Sequence, residues 1–219
     1  MPTLYFSPGA CSLAAHIVLE WIGESYEAVK VDLHHLPDDY RLINPAGAVP
    51  ALDYGGDRAL TQSSAILTYL ALTHPDQDLL DDRSPEHAAE LMKWTAFFTG
   101  DLHPAFWPVF MPGRYTKAAE PAALEQVKAA GLDLVRSKLS LLERQLDGQT
   151  WIVGGKRTIV DAYATPMLNW AAAMLPDGLA DYPNLAAHRS RMRSDAAVRR
   201  VMQAEGLPLD VEQGQNEHA

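Results

Sequence analysis

The hydrophobic rhythm of this chain changes character once, about a third of the way along. Residues 3–6 (TLYF) are a short β-prone run and SPGAC makes a turn. From Ser12 to about Gly23 apolar residues recur at helical spacing, with Leu13, Ile17, Val18 and Trp21 on one face. A β-branched run over about 26–31 follows, and strand, helix, strand in that order predicts a parallel pair joined by a right-handed crossover. The stretch HHLPDDYRLINPAGAVP reads as irregular or weakly helical. Residues 51–54, the turn 55–57 and residues 58–61 then predict a hairpin. Ser63 is the expected cap of a helix whose apolar face is Ile66, Leu67, Leu70 and Leu72, stopped near His74 by Pro75. The first part is therefore α/β, in the order βαβαββα.

From Pro75 to Pro85 the chain reads PDQDLLDDRSP, polar and acidic with proline at both ends, the composition of an inter-domain linker. Beyond it the strand signal vanishes. Helical patterns over 86–110, 121–146, 159–175, 183–193 and 195–205 predict an all-α bundle of about five helices. The expected division is 1–76 for the α/β domain, 77–85 for the linker, 86–207 for the helical domain and 208–219 for a polar, flexible tail. Thr158 and Asp161 hold the first and fourth places of TIVD, a capping box whose role is folding.

A length of 219 residues allows two small domains, each with its own core. No run approaches the roughly 18 apolar residues that span a bilayer, and the N-terminus lacks the pattern of a signal peptide, so a cytoplasmic protein without membrane contact is expected. A formal net charge of −10, with Lys and Arg scattered, argues against a nucleic-acid partner. Cys11 is the single cysteine, which excludes an internal disulfide and any multi-cysteine zinc site. His34 and His35 show no metal-ligand spacing, and no metal is expected.

Four places could carry chemistry. Cys11 stands where a strand hands over to a helix, so free N–H groups at the helix start should favour its thiolate. Ala14 occupies the place where a dithiol oxidoreductase needs its second cysteine, which makes this a monothiol site at most. A lone cysteine is equally read as a small buried apolar residue. Val49–Pro50 precedes a short strand and could form a cis bond, leaving the Val49 backbone free to pair with an extended peptide. Gln62 and Ser63 open the third helix and could hold a carboxylate, although Ser63 also suits a plain capping role. His103 lies in DLHPAFWPVF, where Pro104 and Pro108 should bend the helix; it is either part of a cleft wall or a satisfied core residue.

Taken together, PGACSLAAHI, NPAGAVPAL, LTQSSAILTYLA, DLHPAF and RTIVDAY resemble, in this order, the bacterial beta-class cytosolic glutathione transferases, a likeness running from about residue 3 to about 207. The resemblance implies a thioredoxin-like first domain that binds glutathione as co-substrate. Cys11 would face the glutathione sulfur with Ser12 beside it, Val49 and Pro50 would form the peptide-pairing edge, and Gln62 and Ser63 would receive the γ-glutamyl end. It further implies that His103 reaches toward the thiol, that Trp107, Phe110 and Trp170 line an acceptor pocket, and that the protein is a homodimer. Several positions depart from the family pattern: His35 stands where a basic residue is common, Gln62 replaces an acid, Ser63 a glycine, Pro104 a lysine and Ala96 an asparagine. The implied activity is conjugation of the glutathione thiolate to small hydrophobic electrophiles, with thiol-disulfide exchange through Cys11 as a second chemistry. A non-catalytic ligand- or partner-binding protein on the same fold is the alternative.

Overall fold

A computed structural model describes residues 1–82 and 84–209. Residues 210–219 of the expected tail lie outside the described residues. Four strands, β1 (Thr3–Phe6), β2 (Glu27–Lys30), β3 (Ala51–Asp53) and β4 (Leu60–Thr61), form one sheet in the order β2-β1-β3-β4. β1 runs parallel to β2, with Thr3 opposite Glu27, and antiparallel to β3, with Tyr5 opposite Ala51. β4 closes the expected hairpin with β3. Along β1 the two-residue period puts Leu4 and Phe6 into the core and leaves Thr3 and Tyr5 half-buried.

Helix α1 (Leu13–Ile22) buries nearly all of its residues because it is covered on several sides. It packs beneath β1, against α3 (Ser63–Thr73) of its own domain, and against α7 (Ile159–Met174) and α9 (Ala196–Ala204) of the helical domain. A helix apolar all round has to be buried all round, and α1 thereby joins the two domains through one core. Gly23 ends it in the left-handed conformation, φ 78°, with its N–H on the Leu19 carbonyl. The weakly helical stretch after β2 makes a single turn, α2 (Tyr40–Ile43).

Two sequence expectations about the third helix are corrected. Gln62, at φ 73°, holds the position before α3, and no side chain caps it; Ser63 is the first helical residue. Leu72 is 62% exposed instead of sharing the buried face of Ile66, Leu67 and Leu70. At 100° per residue Leu72 lies about 200° around the helix from Leu70, on the opposite side.

The helical domain comprises α4 (Pro85–Phe97), α5 (His103–Phe110), α6 (Pro121–Gln145), α7, α8 (Pro183–Ser194) and α9. The helix expected over 86–110, with a bend at its prolines, is divided by a π-helical turn at Phe98–Leu102, where the His103 N–H reaches the Phe98 carbonyl. Pro104 has no N–H to offer the Gly100 carbonyl four residues back, and the ladder widens where that bond is missing. Gly131, inside α6, lets α5 approach closely: a Cβ there would lie 2.9 Å from Pro108 Cβ and from Val109 Cγ2. No helix among the described residues is long and apolar enough to cross a membrane.

The capping box forms. Asp161, fully buried, accepts the Thr158 N–H at 2.8 Å, while Thr158 Oγ1 accepts the Val160 N–H. The same carboxylate also accepts the Ile152 N–H at 3.1 Å and meets His188 Nε2 at 2.8 Å, so one side chain ties the start of α7 to the preceding loop and to α8. Asp161→Ala leaves several buried donors without an acceptor, at about 1–3 kcal/mol each before relaxation. A loss of about 3–5 kcal/mol in urea unfolding is expected; a loss below about 1 kcal/mol would contradict this account.

Candidate active site

Cys11 sits in the turn between β1 and α1, half-buried, and its thiol donates to the Val49 carbonyl at 3.3 Å. The Val49–Pro50 bond is cis, as the sequence allowed, and both residues are buried at the start of β3. The expectation that Cys11 favours its thiolate is corrected. Burial pushes the thiol pKa up, outweighing the Ser63 hydroxyl and the N–H groups of Cys11 and Ser12, which pull it down. The next N–H groups are already spent: Leu13 donates to Ala10 and Ala14 to Cys11. The Val49 carbonyl adds to the effect, because an acceptor for S–H stabilises the neutral form.

Ser12 offers the sulfur its backbone and not its hydroxyl. The side chain is fully buried, donating to the Ser7 carbonyl and accepting the Ser7 N–H, both at 3.2 Å. That closes the loop 7–12 on itself. Ser63 does present its hydroxyl to the site. It helps to lower the pKa of the Cys11 thiol and that of the hydroxyl of Tyr163, a buried residue of α7. Gln62 is exposed and held at positive φ, an uncommon and strained conformation for a residue with a side chain.

The helical domain grips the other end of the turn. The Gly9 N–H donates to Glu205 Oε2 at 2.8 Å, and Trp170 Nε1–H donates to the Gly9 carbonyl at 2.7 Å. Glu205 is itself paired through Oε1 with His16 of α1 at 2.8 Å, both side chains being buried. Trp170 then leads into an aromatic wall. His103 stacks on Trp107 at 5.6 Å and 15°, and meets Trp170 at 5.2 Å. Phe110 stands edge-on to Trp170 at 5.2 Å. Burial pushes the His103 pKa down, so the imidazole is neutral near pH 7.

His35 is not gathered into this arrangement. It lies exposed in the loop after β2, with Nδ1 3.2 Å from Asp32 Oδ2. The remaining expected site residues fall into two groups: Cys11, Ser12, Val49, Pro50 and Ser63 around the sulfur, and His103, Trp107, Phe110 and Trp170 in the wall joined to it through Gly9. Sequence reasoning missed Tyr163, Glu205 and His16. Tyr163 lies within RTIVDAY, but it is 152 positions from Cys11 and nothing local marks it as facing a thiol. Among the described residues no group of three or more His, Cys, Asp or Glu side chains could hold a metal ion.

A four-stranded mixed sheet with one cysteine at its first turn, carried against a helical bundle, defines a thioredoxin-like domain of the monothiol kind with an all-α partner domain. Residues 8–73 match the glutathione S-transferase N-terminal domain family, and residues 98–195 match the glutathione S-transferase C-terminal domain family. A glutathione S-transferase of Xanthomonas campestris is 40% identical over 205 residues, which are 93% of this chain and 98% of that one. Two solved structures, each 34% identical and covering 94% of this chain and all of their own, are a bacterial beta-class glutathione S-transferase of Sphingomonas chungbukensis, TM-score 0.83, and a sphingomonad glutathione S-transferase complexed with glutathione, TM-score 0.82. The chain belongs to the glutathione S-transferase family.

A raised thiol pKa has a direct consequence in the free protein. Alkylation by iodoacetamide follows the thiolate fraction, so its rate at Cys11 should still be climbing with pH near the ordinary thiol pKa of about 8.5. A rate that levels off below neutral pH would mean that the helix start, and not burial, governs this sulfur.

Proposed function

We propose that this protein is a glutathione transferase that joins the glutathione thiolate to small hydrophobic electrophiles, with Cys11 as the group nearest the reacting sulfur. The observation that carries the reading is the pairing of the Cys11 thiol with the cis Val49–Pro50 edge, two residues from a peptide held by the aromatic wall. The cradle fits a tripeptide. Val49 and Pro50 offer a peptide-pairing edge, and the first N–H groups of α3, at Ser63 and Ser64, lack intrahelical acceptors and suit the γ-glutamyl carboxylate. Gln62, at its strained position, is the side chain we assign to the same end. His35 is assigned to the glycine carboxylate, with its Nδ1 beside Asp32 Oδ2.

An extended peptide that takes up the Val49 carbonyl removes the acceptor of the Cys11 thiol. Released from that bond, Cys11 donates to the incoming glutathione sulfur and favours its thiolate, as do the N–H groups of Cys11 and Ser12. That thiolate attacks the electrophilic carbon, a carbon–sulfur bond forms, and the leaving group departs with the displaced electron pair. The thiol proton goes to neutral His103 or to water. Trp107, Phe110 and Trp170 form the apolar side against which the electrophile is held. We place this chemistry in the cytoplasm, where a free thiol stays reduced.

Thiol-disulfide exchange is the second reading, favoured by a single cysteine that is not fully buried. The Cys11 thiolate attacks oxidised glutathione, the mixed disulfide forms, and one glutathione thiolate leaves. Intact mass after incubation with oxidised glutathione is expected to gain one tripeptide on the wild type and none on Cys11→Ala. Cys11→Ala should also lose at least about tenfold in kcat/KM toward electrophiles. Full activity of the variant on every electrophile and disulfide tested would remove Cys11 from the mechanism. A chain that gains no thermal stability from millimolar glutathione would support the non-catalytic alternative.

We further assign a two-fold homodimer. A groove of about 990 Å³ runs between α3 and α4, with Ala65, Tyr69, Leu72, Leu91, Met92 and Ala96 along it. Leu72 and Met92 are 62% and 72% exposed, a concentration of apolar surface that a second copy would cover. Leu72→Glu with Met92→Glu should run as a monomer in light scattering while retaining its helical signal. A double variant that stays dimeric would place the interface elsewhere.

A further inference from the structure

The aromatic wall carries a cation that the chemistry above leaves without a part. Pro112 keeps Met111 out of helical geometry, at φ −137° and ψ 64°, and α5 ends at Phe110. A 3-10 turn over Pro112–Arg114 follows, with the Arg114 N–H on the Met111 carbonyl at 3.0 Å. The chain is folded back by that turn, and the Arg114 guanidinium lies over the Trp107 ring, 5.4 Å from its centre. Trp107 is the same ring that stacks on His103 and stands edge-on to Phe110. An indole face attracts a guanidinium through its quadrupole and leaves the planar N–H fork for other partners. Among the described residues, the Arg114 guanidinium, the Trp107 indole N–H and the His103 ring nitrogens meet no hydrogen-bond partner, and Arg114 makes no ion pair. Arg114 is exposed, and the Trp107 and His103 nitrogens are not sealed from solvent either. His103, Trp107, Phe110 and Trp170 include no carboxylate, so the wall offers hydrogen-bond donors and one fixed positive charge.

We propose that Arg114 is a specificity-determining residue, which selects electrophiles that carry an anionic group such as a carboxylate. The proposal rests on the reading of the aromatic wall as the side against which the electrophile is held. An aromatic electrophile lying along that wall brings its carboxylate to the guanidinium, whose fork matches the two oxygens in a bidentate pair. The reaction itself is the one already described. On a chlorinated ring the carbon–sulfur bond forms, the carbon–chlorine bond breaks, and chloride leaves with the electron pair. The protein as a whole works against an anionic substrate, because a net charge of −10 repels it at long range. A local cation is therefore what favours the charged acceptor over a neutral one of the same shape.

The test compares one electrophile with and without its charge, a para-chloro-dinitrobenzoate and its methyl ester, each with glutathione and the full chain. The quantity read is the ratio of kcat/KM for the anion to that for the ester, in which the intrinsic reactivity of the two rings cancels between variants. Arg114→Gln should lower this ratio about threefold to tenfold, through a higher KM for the anion. Arg114→Lys keeps the charge without the planar fork, and its ratio should lie between those of Arg114→Gln and the wild type. A ratio in Arg114→Gln equal to the wild-type one overturns the proposal, and so does a lysine ratio no higher than the glutamine one. A contact that only braces the wall would lower both substrates in proportion and leave the ratio where it was. Should Arg114→Gln not fold, the wild type carries the test: its ratio should fall as sodium chloride rises from about 0.02 M to about 0.5 M, because salt screens an exposed pair. Screening of the net negative charge acts in the opposite sense, so a ratio that stays flat or rises overturns the proposal. A wild type that turns over neither compound refutes the parent reading, whereas turnover of both with a ratio indifferent to Arg114 refutes this inference alone.

Discussion

The position of the reactive turn depends on how one peptide unit is held. Gly9 has its N–H on Glu205 and its carbonyl on Trp170, so both polar groups of that residue are engaged by the helical domain. Gly9 is at φ 69°, a conformation that glycine adopts freely, and a Cβ there would stand 3.3 Å from Leu207 Cδ2. A bulkier residue would be strained in its backbone and would push on the segment that carries Glu205. The Ser12 hydroxyl closes the same loop from the other side by bonding Ser7. Cys11 lies between these two anchors, and its direction toward Val49 follows from them. The two domains are thus not a binding half and a separate pocket half, because the helical one builds the turn on which the thiol is carried.

Holding a turn this firmly requires burying it, and burial opposes ionisation. Cys11 receives help from two N–H groups and a serine hydroxyl, yet the low-dielectric surroundings outweigh them and the thiol stays protonated in the free protein. A thiol held neutral on a backbone carbonyl is protected from indiscriminate alkylation and oxidation. Displacing that carbonyl with a peptide ligand changes the balance without moving any charged side chain. Under the proposed function, selectivity for the ligand and activation of the sulfur would have one cause, the competition for the Val49 carbonyl.

Much of the architecture was legible in the chain because it rests on local signals. The β-prone run TLYF, the hairpin around Gly55–Gly56, the apolar residues of α1 and the TIVD capping box each depend on neighbours within a few residues, and each formed where the pattern put it. The errors arose where distant contacts decide. Ser63 reads as a cap from its type and place, but it is the first helical residue and its side chain caps nothing. Helix-start N–H groups predict a thiolate only if the sulfur stays wet, and how deeply it is buried is decided by the packing of the other elements around the turn. Tyr163, Glu205 and His16 gave no local signal at all, since what makes them matter is contact across 152, 196 and 189 positions of chain respectively.

The interruption between α4 and α5 links these themes. Pro104 breaks the hydrogen-bond ladder, and the widened turn at Phe98–Leu102 re-aims the residues on either side of it. Within it, Thr99 meets Tyr163 of α7. After it, His103 and Trp107 present their rings to Trp170, which holds the Gly9 carbonyl. Thr99 and Gly100 also line the groove between α3 and α4, so the same turn touches that surface. The extra residue in the turn changes the angular register of His103 and Trp107 relative to the residues of α4 before it. The proline that reads as a defect in a helix thereby helps to set how one element faces Tyr163, the aromatic wall and the groove.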